Sequence, residues 1–303
     1  MKNLAFSAFL ALLAAQPISS SQESFWDKLV DFTVQHIRND GPDIEVSEFI
    51  SMARHHVWSR REEFVDLVIP YLKGEAPDKA AGAIAVLYRL HTYFPLSHSE
   101  DFEQNKDKFF SHIDSIVYGQ LEHLHSFEND RVYHQLALYL GRSPTAESKR
   151  HLLRIADNPT SKDSKEQALI CLAWHRDPKD MDVLFPYMLE DSNAARSLPY
   201  HFRNSYREAA IPYLKKALSE SKSSLTQLEA AFELVHLRVP DGFNYMYTDV
   251  LQDTMPNAEH SRHLERINQF AIDYLELPHS VSSRQEIAAH IKKKRNELCK
   301  SQD

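Results

Sequence analysis

After residue 23, apolar residues recur every three and four positions along almost the whole chain, and no stretch alternates long enough to make a strand. Phe25, Leu29, Phe32 and His36 form one stripe; Phe64, Leu67, Val68, Tyr71 and Leu72 form a second; Ala210, Tyr213, Leu214, Ala217 and Leu218 form a third. Short polar punctuation separates the stripes, as at Asp40-Gly41-Pro42, Ala76-Pro77-Asp78, Ser143-Pro144-Thr145, Asp157-Asn158-Pro159 and Pro240-Asp241-Gly242. Proline ends or starts a helix, and Asp, Asn or Ser caps the next one. The pattern predicts an all-α chain of about fourteen helices of roughly 10 to 20 residues. The longest polar gap, Ser97 to Asn105, reads as a loop or a junction.

One phrase occurs three times: Val68-Ile69-Pro70-Tyr71-Leu72, Leu184-Phe185-Pro186-Tyr187-Met188 and Ala210-Ile211-Pro212-Tyr213-Leu214. Each copy is followed, across a polar turn, by an alanine-rich helix: Ala80-Ala81-Gly82-Ala83, Ala194-Ala195-Arg196 and Ala230-Ala231-Phe232. Proline inside the first helix bends it, and alanine lets the second pack closely on both sides. The constant place of Tyr71, Tyr187 and Tyr213 beside the proline assigns them to packing.

The stretch from Leu184 through Pro186, Asp191, Ala195 and Arg196 to Leu198 resembles a HEAT-type repeat. In that family the first helix carries Leu-Pro-x-Leu, the turn an Asp, and the second helix Arg and small residues before a Leu. With Ala168, Ala195 and Ala231 taken as equivalent, the repeats fall 27 and 36 residues apart. The resemblance covers residues 60 to 275 and implies an α-solenoid of stacked antiparallel helix pairs with a binding surface on its inner side. On this reading residues 23–97 are an N-terminal helical section holding the first repeat, 106–279 the repeat array, and 280–303 a charged C-terminal helix.

Residues 1–15 read as a secretory signal peptide, because Lys2 precedes the uncharged run from Leu4 to Ala15, with cleavage after Ala15 or as late as residue 21. That run is too short to span a bilayer, which takes roughly 20 apolar residues, and no second apolar run of membrane-spanning length follows. The expectation is an exported protein, periplasmic or secreted, not inserted in the membrane once the signal is removed. Export permits a disulfide, yet Cys171 lies in an apolar helical stripe and Cys299 in a charged helix, so the two are expected to stay unpaired.

Composition removes several function classes. Only 6 glycines stand among 303 residues, and no G-x-G-x-x-G, G-x-x-x-x-G-K or G-x-S-x-G occurs. The net charge of −8 argues against a nucleic-acid partner, and the basic cluster Lys292 to Arg295 suits a helix C-terminus. Candidate binding residues lie on the second helices of the pairs. Arg196, Tyr200 and Arg203 share one face, or Arg196 serves the turn; Glu229 and Glu233, four apart, share the exposed side of the next such helix. His260 and His263 are the only candidate metal pair with helical spacing, and there is no H-E-x-x-H, so no cofactor is assigned. Function then reads as a non-enzymatic interaction scaffold for a protein or peptide partner. The alternative is an enzyme or enzyme-associated subunit holding a ligand in the groove, as bilin lyases resembling the family do.

Overall fold

The computed structural model describes residues 58, 61–93, 100–251, 257–277 and 283–299. The expected signal peptide, residues 1–15, and the stripe from Phe25 to His36 lie outside the described residues, as do the side chains of His260 and His263. Every regular element among the described residues is helical. They run α1 (Arg61–Lys73), α2 (Pro77–Tyr93), α3 (Glu100–Gly119), α4 (Leu121–Ser126), α5 (Asp130–Leu140), α6 (Ala146–Asp157), α7 (Lys162–Trp174), α8 (Asp180–Met188) and α9 (Asn193–Tyr206). A 3-10 turn (Arg207–Ala210) leads to α10 (Ile211–Glu220), α11 (Ser224–His236), α12 (Pro240–Leu251), α13 (Asn257–Asp273) and α14 (Arg284–Leu298). No described helix is long and apolar enough to cross a membrane. The polar stretch read as a loop or junction is helical from Glu100 onward, and Lys106 reaches back one turn to Glu103 at 2.5 Å.

Contacts divide the chain into two compact units, residues 1–139 and 140–303. In the first, α1 packs on α2, and both pack on α3. The alanines of α2 make this possible, since Ala80, Ala81 and Ala83 are fully buried and leave room for Val65, Val68 and Leu72 of α1. Trp58 stands edge-on to Phe102 at 4.8 Å and to Phe109 at 5.4 Å.

In the second unit the helices alternate between two sets of neighbours. Helix α7 packs on α9 and α9 on α11, while α6 covers α7, α8 covers α9, and α10 and α12 flank α11. Helix α14 closes against α12 and α13. The helices α7, α9 and α11 begin alike: the hydroxyls of Ser161, Ser192 and Ser223 accept from the backbone N–H of Ser164, Ala195 and Thr226. Each such cap contributes about 1 kcal/mol. They also end near a residue of positive φ, Arg176, Arg207 and Arg238 at 56°, 54° and 59°, although Arg207 with ψ of −129° lies outside the left-handed helical region. Successive caps and successive arginines are each 31 residues apart.

This register replaces the 27- and 36-residue spacing expected from alanines. Ala195 lies three residues beyond its serine cap, Ala168 seven and Ala231 eight. Alanine fits several close contacts, whereas a cap occupies one position, so caps set the register. The recurring phrase also changes meaning. Pro186 is inside α8, but Pro212 is in the first turn of α10, where the N–H it lacks has no helical partner. Tyr187 and Tyr213 are partly exposed struts rather than core residues. Their hydroxyls donate to Asp157 of α6 and Asp182 of α8, each at 2.5 Å.

Two of the glycines mark close approaches. A Cβ on Gly242 would meet the Ala231 carbonyl oxygen at 2.4 Å, and one on Gly141 would meet the Cys171 Cβ at 2.7 Å. Both cysteines are free, and burial pushes the Cys171 thiol up to about 12.

Candidate functional site

Four of the five residues singled out from sequence fall on one side of α9 and α11. Tyr200 is the most exposed, at 50%, and the Arg203 guanidinium stands 5.5 Å from its ring centroid. Arg203 in turn donates through Nε to Glu233 of α11. Glu229, one turn before Glu233, accepts from Arg266 of α13 at 3.1 and 3.4 Å, a two-pronged contact. The fifth residue, Arg196, stands 3.5 Å from Asp191 in the turn before its own helix, which is the turn role rather than the surface one.

The expectation that Glu229 and Glu233 share an exposed acidic face is corrected here. Glu233 is only 4% exposed and paired. Its place follows from the 31-residue register: Cys171, Phe202 and Glu233 each lie ten residues beyond a serine cap, and all three are buried. Burial pushes the Glu233 carboxyl up, and the Arg203 charge pulls it back. Removing one partner of such a pair costs about 3–5 kcal/mol, because the other charge stays buried alone. The more exposed Arg266–Glu229 pair is worth about 0–1 kcal/mol.

Around these charges lies an aromatic patch that reading the sequence missed. Phe232 and Phe270 stack at 4.3 Å with planes 6° apart, and Arg266 stands 5.8 Å from the Phe232 ring. His236 meets Tyr274 at 4.0 Å and Phe270 edge-on at 5.2 Å. Burial, helped by the Arg203 charge, pushes the His236 imidazole down to about 4, so it is neutral at pH 7. The signal that finds this patch is the helix end: Trp174, Ser205, His236 and Tyr274 each stand two residues before a residue of positive φ, the last being Glu276 with φ 61°.

Chemically the face offers the exposed rings of Tyr200 and Tyr274 and neutralised ion pairs, whereas Phe232 belongs to the core beneath them. Among the described residues no group of three or more His, Cys, Asp or Glu is arranged to hold a metal ion. No protein-family model, curated protein or solved structure matches the chain.

Proposed function

We propose that this chain is an exported, non-enzymatic scaffold whose helix pairs stack as a HEAT-like α-solenoid, and that it binds a protein or peptide partner along the side formed by α7, α9, α11 and α13. One observation carries the reading. The described large aromatics that stand exposed are Trp174 at 41%, Tyr200 at 50% and Tyr274 at 36%, and all belong to this series of helices or its ends. Tyrosine, tryptophan and arginine are enriched among the residues that dominate the energetics of protein interfaces, and the two aromatics cover much area at little entropic cost. The recurrence of caps and helix ends at 31 residues supports stacked pairs, since a helix pair of that length cannot bury both faces without neighbours.

The test has two arms. Bait protein captures partners from the source compartment, and the affinity of the captured partner is measured for the triple variant Trp174→Ala/Tyr200→Ala/Tyr274→Ala. The control is Val183→Ala/Leu251→Ala, which trims the other exposed large apolar residues on α8 and α12. The reading expects at least a 100-fold loss for the triple variant and less than 3-fold for the control; equal losses overturn the choice of face. Export is tested by intact mass of the protein from a secreting host, which loses residues 1–15, or up to residue 21. A retained N-terminus overturns that part.

A further inference from the structure

Three residues at the ends of α7, α9 and α11 take no part in the charge pairs described above. Arg176, Arg207 and Arg238 are exposed, stand 31 residues apart and have φ of 56°, 54° and 59°. Among the described residues none of them forms an ion pair, whereas Arg196, Arg203 and Arg266 of the same unit each face a carboxylate. Of the acidic side chains that follow them in the chain, Asp177 accepts from Lys149 at 2.6 Å, Asp241 pairs with Lys215 at 3.0 Å, and Glu208 is exposed beside Arg207. A positive φ is uncommon for a residue with a Cβ and is ordinarily filled by glycine or asparagine. Arginine does complement the dipole of a helix end, but a cation in the last helical turn does so on an unstrained backbone. Strain borne three times for an exposed guanidinium points to a use outside the chain.

Contacts between the helices put the three arginines at one end. Helix α7 packs on α9 and α9 on α11. Lys165, four residues beyond the cap of α7, reaches Glu190, two residues before the cap of α9, at 2.8 Å. Arg203 and Glu233, eleven and ten residues beyond the caps of α9 and α11, meet directly. Both contacts join like ends, so the three helices run parallel and finish together. Packed helices lie about 8–10 Å apart, axis to axis, and that is the step from one arginine to the next. Helix α13 runs parallel too, since Glu229, Phe232 and His236 meet Arg266, Phe270 and Tyr274 in order. Its residue of positive φ is Glu276, which accepts from Lys294 at 2.9 Å, so the row ends at Arg238. Trp174 and His236 stand two residues before Arg176 and Arg238, which sets aromatic rings beside the row.

We infer that Arg176, Arg207 and Arg238 receive an extended acidic segment of the partner, with a carboxylate on every third residue. The inference rests on the reading of this side as a partner-binding face and adds the chemistry of what that face takes. A polyproline II segment turns once in three residues and rises about 3.1 Å per residue, so side chains three apart share one side at about 9 Å. That pitch matches the step of the row. Each guanidinium takes one carboxylate in a two-pronged contact, and the residues between lie against the neighbouring rings. The chain as a whole carries a net charge of −8, so attraction for an acidic segment is confined to the row and fades as salt is added.

The probe is a fluorescein-labelled heptapeptide, Glu-Pro-Pro-Glu-Pro-Pro-Glu, titrated against the full chain beside its equally charged counterpart Glu-Glu-Glu-Pro-Pro-Pro-Pro. At low salt the spaced peptide should bind about 10-fold tighter than the clustered one, and Arg176→Asn/Arg207→Asn/Arg238→Asn should bind it about 10-fold more weakly than the parent. Asparagine accepts a positive φ, so this variant should keep the parent melting temperature. Lys162→Gln/Lys216→Gln/Lys222→Gln removes the same charge from exposed positions elsewhere in the unit and should change the affinity less than about 2-fold. Equal losses in the two triple variants, no preference for the spaced peptide, no binding of it by the parent, or tighter binding of a sulfated hexasaccharide each overturn the inference. The captured partner separates this inference from the reading beneath it. A partner kept by the arginine variant but lost by Trp174→Ala/Tyr200→Ala/Tyr274→Ala overturns the acidic segment and leaves the face standing; a partner kept by both overturns both.

Discussion

The lysine and arginine ion pairs described in the unit ending at Tyr139 lie at its rim. Arg131 and Asp78 are 37% and 35% exposed in their side chains, and the buried part of that unit is aliphatic and aromatic apart from His125 and the His91–Asp114 contact. In the unit beginning at Leu140, Arg203 and Glu233 are 18% and 5% exposed, and Lys149 and Asp180 are 21% and 8%. The second unit places charges between consecutive helices, and it also carries all the described exposed large apolar side chains. The difference lies in polar content: the second unit has its own apolar cluster running from Leu228 to Ile291, and it adds partly buried ion pairs between consecutive helices. Buried ion pairs add little net stability, but an arrangement in which the partners are not opposed leaves an uncompensated buried charge and is penalised.

The largest expected effect breaks a joint. Glu233→Ala leaves Arg203 half-buried and unpaired, and is expected to lose about 3–5 kcal/mol of unfolding free energy in urea melts. The double variant Arg203→Met/Glu233→Leu should recover most of that loss. If the single variant costs less than about 1 kcal/mol, charge is not what holds the second unit.

Next comes acid. His236 has its folded pKa lowered to about 4 from 6.5, so the folded state favours the neutral ring. The associated stability is complete above pH 6.5 and is lost as pH falls toward 4, by as much as about 1–3 kcal/mol given partial exposure. Glu233 acts with the opposite sign, since its raised carboxyl pKa favours the folded state as pH falls. His236→Phe isolates the first effect: the difference between parent and variant melting temperatures should grow steadily from pH 7 to pH 4, with the parent losing ground. A pH-independent difference refutes the assignment.

A pair of glycine substitutions compares close approach with open space. Gly242→Ala places a Cβ against the Ala231 carbonyl and should cost about 1–3 kcal/mol, whereas nothing lies within 4 Å of a Cβ on Gly119, so Gly119→Ala should gain about 0.4–1 kcal/mol. The smallest losses belong to the struts: Tyr187→Phe and Tyr213→Phe should each lose about 0.5 kcal/mol and add independently, because they bond different aspartates at the surface.

Much of the fold was legible because helix period, proline and serine are local signals. Ser161, Ser192 and Ser223 would have given the 31-residue register directly, had caps rather than alanines been aligned. The candidate site was legible only in outline. Arg203 and Glu233 stood out as helix-face charges, but their pairing depends on how far one helix slides along the next. The partners Arg266 and Phe270 come from α13, beyond a segment in which no local pattern points back to α11.

The sequence by itself determined that the chain is helical, where most helices begin and end, and which chemistries its scarcity of glycine leaves without support. A helix is specified by neighbours three and four residues away, so those outcomes follow from spacing alone. Only the tertiary structure decided that Glu233 is covered and that Tyr187 and Tyr213 reach to aspartates on α6 and α8. Burial of a face is set by whichever helix packs against it, and that helix lies some thirty residues away in the chain.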